Sequence, residues 1–270
     1  MSSIARLSTC LALVAVSCRP DTIELSYRFE EGRVLHYEMN AHAEARWDIR
    51  GPGEGSYDVS FEVIETVRSV DANGALVLVE MRPLPAEERG LPSPGLESRS
   101  FSLRLGDDGE VIDVLDLDGV AASALSNEEI AFIGTYRPAL PTERVRLDDS
   151  WRAPQEIAAG PTFQQLDMSG RLASFARDER GRLATMTFDG SGPVRWETIL
   201  PQGAATLEGT ADSSGSALFD IDGGYLRSGD STTIGDFQVR VLPGGGRAPI
   251  SGTLHLELEL TIAQTKTAVV

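Results

Sequence analysis

The chain has 270 residues, of which 41% are hydrophobic and 24% are charged, proportions that are ordinary for a folded globular protein. Its formal net charge is −17, and its single lysine is Lys266, while the remaining cations are arginines scattered among acids. Because nucleic-acid binding needs clustered Lys and Arg against the phosphates, this composition argues against a nucleic-acid partner. The length suffices for a full core, as one large β domain or two smaller ones.

The first 17 residues have the pattern of a secretory signal peptide. Arg6 is followed by an apolar run over 7–16, and the small residues Ala15 and Ser17 favour cleavage after Ser17. The run is too short to cross a bilayer, which needs about 20 residues. We therefore predict that residues 1–17 direct export and are removed.

The stretch VAVSC, which ends at Cys18, resembles the lipobox of bacterial lipoproteins, whose cysteine is acylated and becomes the first residue. Ala15 stands where that motif usually has leucine. The resemblance implies lipid attachment at Cys18, a tether over 18–22, and a membrane-anchored protein facing the periplasm or the cell exterior. A plain secreted protein is the alternative. Since Cys10 lies in the signal peptide, acylation of Cys18 leaves the mature chain without thiols or disulfides.

Beyond residue 22 the dominant hydrophobic period is two, which predicts antiparallel strands with one wet face. In TLHLELELTI, every second residue from Leu254 to Ile262 is Leu or Ile. The stretches over 33–48 and 57–63 alternate in the same way. Asp, Asn and Gly mark four hairpin turns, in VDANGAL, GDDGEV, RDERGRL and DIDGGYL. Gly and Pro predict a longer loop at DGSGPVRWETILPQG, over 189–203.

One segment departs from this alternation. Its apolar residues recur every three to five positions, and Ser126 with Glu129 forms a capping box. We predict a helix near 119–134, which the proline-containing stretch RPALP ends. The fold class is therefore mainly β (α+β), with one helical segment.

The order of strands and tight turns occurs twice along the chain. Asp71 in the first set corresponds to Asp178 in the second, at an offset of 107 residues. We predict a first β repeat plus the helix over 23–137 and a second β repeat over 138–270. Together these duplicated antiparallel hairpins form a curved sheet or half-barrel in one compact unit, and the sequence leaves open whether the sheet is continuous.

The order of these features resembles a family of uncharacterised bacterial lipoproteins with a duplicated β-rich repeat. In that family a Gly-Asp-x-Trp motif opens the second repeat; here Asp149-Ser150-Trp151 fits, and Asp148 stands where glycine is usual. EEGRVL, at Glu30–Leu35, is the counterpart in the first repeat. The resemblance implies a fold and a location, and brings no activity or catalytic residue. In outline the architecture is also similar to half-barrel lipoprotein carriers of the envelope.

The sequence contains no motif for catalysis or for metal binding. His36 and His42 lie six residues apart on one predicted strand face, about 20 Å, which is too far for one metal ion. Those two histidines, like His255, fit a solvated strand face. The chain has no G-x-S-x-G elbow and no phosphate-binding loop. We predict no catalytic, cofactor-binding or metal-binding residue, no cofactor and no enzymatic activity, which leaves Cys18 as the one site residue.

Two further patterns have more than one interpretation. In DIDGG, the glycine position excludes an EF-hand, so Asp220 and Asp222 are predicted to flank a hairpin turn. Tryptophans at strand ends complete a core or line the mouth of an apolar cavity. The pattern favours core for Trp151 and a loop for Trp196, and it leaves Trp47 undecided.

Two functions are compatible with these features. The first is a lipid-anchored, non-catalytic module that binds a hydrophobic ligand such as a lipid, in a cavity of several hundred Å³ lined by leucine and valine. The alternative is an envelope scaffold or protein-interaction lipoprotein without a small-molecule ligand, whose sheet edge or loops hold a protein partner. The membrane is a partner in both, through acylated Cys18.

Overall fold

The computed structural model describes residues 22–84, 98–117, 137–153, 155–159, 162–200, 203–243 and 248–269. The signal peptide at 1–17, Cys18 and the helix predicted near 119–134 lie outside these ranges. Within them every regular element is a β-strand. No helix in the described ranges is long and apolar enough to span a membrane.

Twelve strands make up the described fold. The first six are β1 (Arg33–Asp48), β2 (Pro52–Asp71), β3 (Gly74–Pro83), β4 (Arg99–Leu105), β5 (Val111–Leu117) and β6 (Ser150–Arg152). The other six are β7 (Gln155–Ala159), β8 (Thr162–Asp178), β9 (Gly181–Leu200), β10 (Gly203–Asp220), β11 (Tyr225–Pro243) and β12 (Ile250–Val269). The strands predicted from period-two alternation are confirmed in β1, β2 and β12.

The strands form one antiparallel sheet in the order β5-β4-β3-β2-β1-β12-β11-β10-β9-β8-β6, and β7 pairs with β8. Pairing of β1 with β12 runs from Arg33 opposite Val269 to Asp48 opposite Thr253. Because β1 comes from the first half of the chain and β12 from the second, one sheet crosses both halves. The division into repeats at 23–137 and 138–270 stays a prediction.

The four hairpin turns lie where Asp, Asn and Gly predicted them, between β2 and β3, β4 and β5, β8 and β9, and β10 and β11. The loop predicted over 189–203 is wrong, since residues 189–200 continue β9. Ser191 is the last β9 residue that pairs with β8. Pro193 lies just beyond it, so its missing N–H interrupts no ladder on that side. Trp196 therefore lies in a strand.

The segment ahead of β1 closes one end of the sheet, which we call the curled end. The Tyr27 N–H donates to the Asp107 carbonyl in the β4–β5 turn at 2.7 Å. The adjacent Arg28 N–H donates to the Gly224 carbonyl in the β10–β11 turn at 2.9 Å. Four strands separate β4 from β11 in the sheet order. Two neighbouring residues can reach both turns because the sheet curls strongly here.

The main hydrophobic core fills the curled end and includes strands from both halves of the chain. Its most buried side chains include Val63, Val77, Leu103, Leu105, Leu172, Met186 and Phe219. The Tyr27 ring packs edge-on against Phe219, with centroids 5.3 Å apart, and its hydroxyl donates to the Pro138 carbonyl at 3.1 Å. Burial raises the pKa of this phenol far above its ordinary value, against the opposing charge of Arg137. Tyr27 thus remains a hydrogen-bond donor.

A buried ion pair joins the segment before β6 to this core. The Arg137 guanidinium contacts the Glu65 carboxylate, and their side chains are only 8% and 3% exposed. Arg137 also lies over the Tyr27 ring, 5.1 Å from its centroid. Removing one partner of such a pair leaves a buried charge uncompensated, at a cost of about 3–5 kcal/mol.

Two backbone positions share one unusual conformation. Gly32 has φ of 80° and Asp148 has φ of 69°, the latter being the single non-glycine residue with positive φ in the described ranges. The Gly32 N–H donates to the Val67 carbonyl at 2.9 Å, and the Asp148 N–H donates to the Leu172 carbonyl at 2.8 Å. A β-bulge follows each acceptor in its strand. Asp148 thus occupies a left-handed position where the resembled family has glycine.

We expect the Asp148→Gly variant to be more stable than the Asp148→Ala variant by about 1 kcal/mol, because a Cβ is penalised in the left-handed region. Both variants lose the contact between the Asp148 carboxylate and Arg171, so their difference isolates the backbone term. Urea unfolding monitored by tryptophan fluorescence measures it. Equal midpoints for the two variants contradict the assignment of strain to this residue.

Candidate functional site

An open groove of about 690 Å³ lies at the end of the sheet opposite the curled end. It is formed where the β1–β2 hairpin meets β11 and β12, and Trp47, Leu254 and Phe237 contribute its apolar lining. β1 runs from the curled end at Arg33 to the groove at Asp48, so its 16 residues separate the two ends by about 50 Å.

The apolar lining comes from one row of cross-strand neighbours. Trp47 on β1 is opposite Leu254 on β12, which is opposite Phe237 on β11. A Cβ on Gly53 would overlap the Trp47 ring, and a Cβ on Gly235 would overlap the Phe237 ring. Glycine at these positions therefore lets each ring lie against the backbone, with Leu254 between the two rings. The sequence predicted a lining of leucine and valine; the apolar part of the groove comes instead from Trp47, Phe237 and Leu254, and polar or charged residues make up more than half of the lining.

The apolar face of β12 continues from the groove toward the curled end. Leu256, Leu258 and Leu260 are half-buried, and Ile262 joins the main core. Across the inner side, Leu166, Met168 and Val194 pack in a second buried cluster with Phe237. Leu254, Leu256, Leu258 and Leu260 therefore form one apolar, partly exposed row on β12, which we call the leucine strip.

Charged residues surround the groove. Arg46, Asp48, Glu54, Asp236 and His255 contribute to its lining. The His255 Nδ1 lies 2.8 Å from the Asp236 Oδ1, and the His255 side chain is partly exposed. Arg46, His255 and Asp236 form the adjacent row of cross-strand neighbours. Because successive side chains of a strand point to opposite faces, this polar row lies on the face opposite to the row of Trp47, Leu254 and Phe237.

The predicted polar face of β1 is present, and its histidines pair with carboxylates. His42 Nδ1 lies 2.7 Å from the Asp58 Oδ1 on β2, and His42 Nε2 lies 3.4 Å from the Glu44 Oε1. His36 Nδ1 lies 3.3 Å from the Glu62 Oε1. In the described part of the chain, no three His, Cys, Asp or Glu side chains are grouped so that they could hold a metal ion.

The hydrogen bond to Asp58, and then the one to Glu44, raise the pKa of His42. The folded state thus favours the protonated imidazole. This contribution to stability is fully present below about pH 6.5, the ordinary pKa of histidine, and is lost as the pH rises through the higher pKa of the folded state.

The carboxylates of DIDGG form the turn that the sequence predicted. Asp220 is buried, and its Oδ1 accepts the Gly223 N–H at 2.7 Å. The Asp222 carboxylate accepts the Arg182 backbone N–H and Nε–H, both at 2.9 Å. These bonds from Arg182 lower the pKa of Asp222. Both acids are engaged by nitrogen donors of the protein.

Sequence reasoning located some of these residues and missed others. Trp151 is half-buried against both main clusters, and its Nε1–H donates to the Ala139 carbonyl at 3.0 Å, so the preference for core is confirmed. Trp47 lines the groove. Of the two roles considered for a tryptophan at a strand end, core or mouth of an apolar cavity, this position matches the latter. Phe237 was not identified; its one local signal is Gly235, two positions away on the same strand face. Cys18 lies outside the described residues.

Comparisons with known proteins show a likeness in fold. No family model matches the chain, and no curated protein matches it. A solved structure described as "Lipid-protein interactions in lipovitellin" has a similar fold, with a TM-score of 0.51 and 13% sequence identity. The alignment covers 90% of this chain and 26% of the lipovitellin chain, so this protein spans about a quarter of that length.

We expect the His42 pKa to lie above the ordinary value and to fall toward it in the Asp58→Asn variant, because the neutral amide supports the imidazolium less well. Titration of the His42 Cε1–H resonance by NMR measures both values. The result that contradicts this assignment is an unchanged His42 pKa in the variant.

Proposed function

We propose that this protein is a non-catalytic module that binds a hydrophobic ligand, such as a lipid, in the groove formed by Trp47, Leu254 and Phe237. The observation that carries the proposal is an open groove of about 690 Å³ at the end of the sheet, whose lining includes the apolar row of Trp47, Leu254 and Phe237. Ligand sites of this size are typically concave, mostly apolar and rimmed by a few polar groups. Transfer of apolar surface out of water contributes about 25 cal/mol per Å².

The leucine strip suggests an extended ligand. From Leu254 to Leu260 the apolar face of β12 runs for about 20 Å. The leucines along it are half-buried, so a chain lying there would cover surface that the protein leaves accessible. A hydrocarbon chain suits this geometry because it needs no hydrogen-bonding partners.

The similarity to lipovitellin supports the same class of ligand. That structure is described by its lipid–protein interactions, and its fold matches over 90% of this chain. Fold alone does not fix function, so the weight of the proposal rests on the groove.

We further propose that the protein is exported and anchored through acylated Cys18, as a member of the duplicated β-repeat lipoproteins it resembles. The support is the VAVSC stretch in the sequence. The matched hydrogen bonds of Gly32 to Val67 and of Asp148 to Leu172 support the duplication.

A scaffold role is the second candidate, and the sheet edge favours it. Among the described strands β5 pairs with β4 alone, which makes β5 the candidate edge for a strand from a protein partner. Crosslinking from a p-benzoylphenylalanine residue placed at the exposed Ile112 of β5 tests this role, since a specific protein adduct is expected only for a scaffold.

We expect the Leu254→Glu variant to bind the fluorophore N-phenyl-1-naphthylamine at least roughly tenfold more weakly than the wild-type protein, because a carboxylate desolvates at a large cost in an apolar site. The Thr261→Glu variant is the matched control. It adds the same charge to the exposed face of the same strand and should bind as the wild type does. Fluorescence titration measures both affinities.

Thermal unfolding of both variants separates loss of the site from loss of the fold, and Trp47→Ala provides a second groove variant in case Leu254→Glu unfolds. Native mass spectrometry of the wild-type protein should also detect a co-purifying lipid. Equal fluorophore affinity in the folded Leu254→Glu, Trp47→Ala and Thr261→Glu proteins rules out the groove as the binding site.

We expect the Cys18→Ser variant to leave the membrane fraction and appear in the soluble fraction of the producing cells, because no acyl chains can then be attached at residue 18. Fractionation with quantitative immunoblotting measures the shift. A variant that still sediments with membranes overturns the anchor.

A further inference from the structure

Residues 22 and 23 lie beside the short segment that leads into β6. Ile23 and Val145 exchange two backbone hydrogen bonds of 2.8 Å, and Arg144 donates to the Thr22 carbonyl at 2.8 Å. Thr22 is the fourth residue after Cys18, so the two lie at most about 15 Å apart. Any membrane that holds Cys18 therefore lies close to this surface of the protein.

Two large apolar side chains are exposed near the Ile23–Val145 pairing. Leu147, two residues beyond Val145, is 50% exposed, and Phe175 on β8 is 41% exposed. The Asp148 N–H donates to the Leu172 carbonyl, and β6 pairs antiparallel with β8, so the chain around Leu147 runs alongside the Phe175 end of β8. We call Leu147 and Phe175, together with the exposed Arg146, Arg177 and Arg180, the entry patch.

The charge around the entry patch differs from that of the whole chain. Residues 143–182 contain seven arginines and seven acids, for a net charge of zero, whereas the full chain carries −17. Arg146, Arg177 and Arg180 are exposed, and no ion pair joins their side chains to an acid within the described ranges. Asp148, by contrast, is paired with Arg171. The acidic protein thus presents accessible cations beside its exposed apolar side chains.

We propose that the entry patch docks on the lipid bilayer, with Leu147 and Phe175 at the acyl boundary and the arginines against anionic headgroups. The proposal rests on the acylation of Cys18 proposed above. Exposed apolar side chains combined with basic residues are the features that bind a protein to a membrane surface. The anchor supplies a high local concentration, so even this small patch is held in contact.

This docking sets the groove apart from the anchoring membrane. The entry patch lies at the curled end, and the groove lies about 50 Å away along β1. The groove then lies at the end of the sheet that is farther from the anchoring membrane. A ligand would be taken from or passed to a structure on the far side, and not drawn directly from the leaflet that holds the anchor.

The test uses the mature lipidated protein, in which acylation of Cys18 leaves no thiol, so that an engineered cysteine takes a single label. Leu147→Cys and Leu242→Cys are a matched pair, since Leu242 is 48% exposed at the groove end of β11. Each variant is labelled with nitrobenzoxadiazole and reconstituted on vesicles of phosphatidylethanolamine and phosphatidylglycerol containing a doxyl-labelled lipid.

We expect the label at residue 147 to shift to the blue and to be quenched by the doxyl lipid, and the label at 242 to be unaffected. A label on the Phe175→Cys variant should also shift to the blue and be quenched. This second position controls for a local structural change caused by the substitution of Leu147. Replacing Arg146, Arg177 and Arg180 by glutamine should reduce quenching at 147 by about half or more on these anionic vesicles.

Equal quenching at residues 147 and 242, or none at either while the protein stays on the vesicles, overturns the docking of the entry patch and leaves the anchor standing. Vesicle flotation reports the anchor separately. A wild-type protein that does not float with vesicles overturns the anchor and the docking together, whereas the groove is tested independently by fluorophore binding.

Discussion

The closure of the curled end depends on two neighbouring backbone hydrogen bonds, from Tyr27 to the β4–β5 turn and from Arg28 to the β10–β11 turn. A long antiparallel sheet twists but has no intrinsic reason to bring distant turns together. The segment before β1 holds the two turns near each other, because its N–H groups donate to carbonyls of both turns and the Tyr27 ring packs in the core. The buried ion pair between Glu65 on β2 and Arg137 holds the segment before β6 against the same core.

The two ends of the sheet consequently differ in packing. At the curled end, side chains from both halves of the chain meet and exclude water, as at Leu103 and Phe219. At the opposite end, no segment among the described residues bonds to distant turns in this way. There the rings of Trp47 and Phe237 pack against Gly53 and Gly235. A filled end and an open groove are therefore two consequences of closing the sheet on one side only.

The sequence alone predicted the strands and the four tight turns, because alternation and turn chemistry are local. It failed at 189–200, where Pro193 and nearby glycines looked like a loop but lie in a strand beyond the last pairing with β8. It also missed Phe237, because the row of Trp47, Leu254 and Phe237 depends on the register of three strands. That register joins Trp47 to Leu254, which is about 200 positions away in the chain, and no local pattern encodes this pairing.

The pairing of β1 with β12 has a consequence for how the protein folds. The first long strand of the chain finds its neighbour only when the last one, Ile250–Val269, is available. Contacts of such long sequence separation slow folding, since the loop entropy is lost before the contact forms. A nascent chain therefore cannot complete this sheet until its last strand has been synthesised.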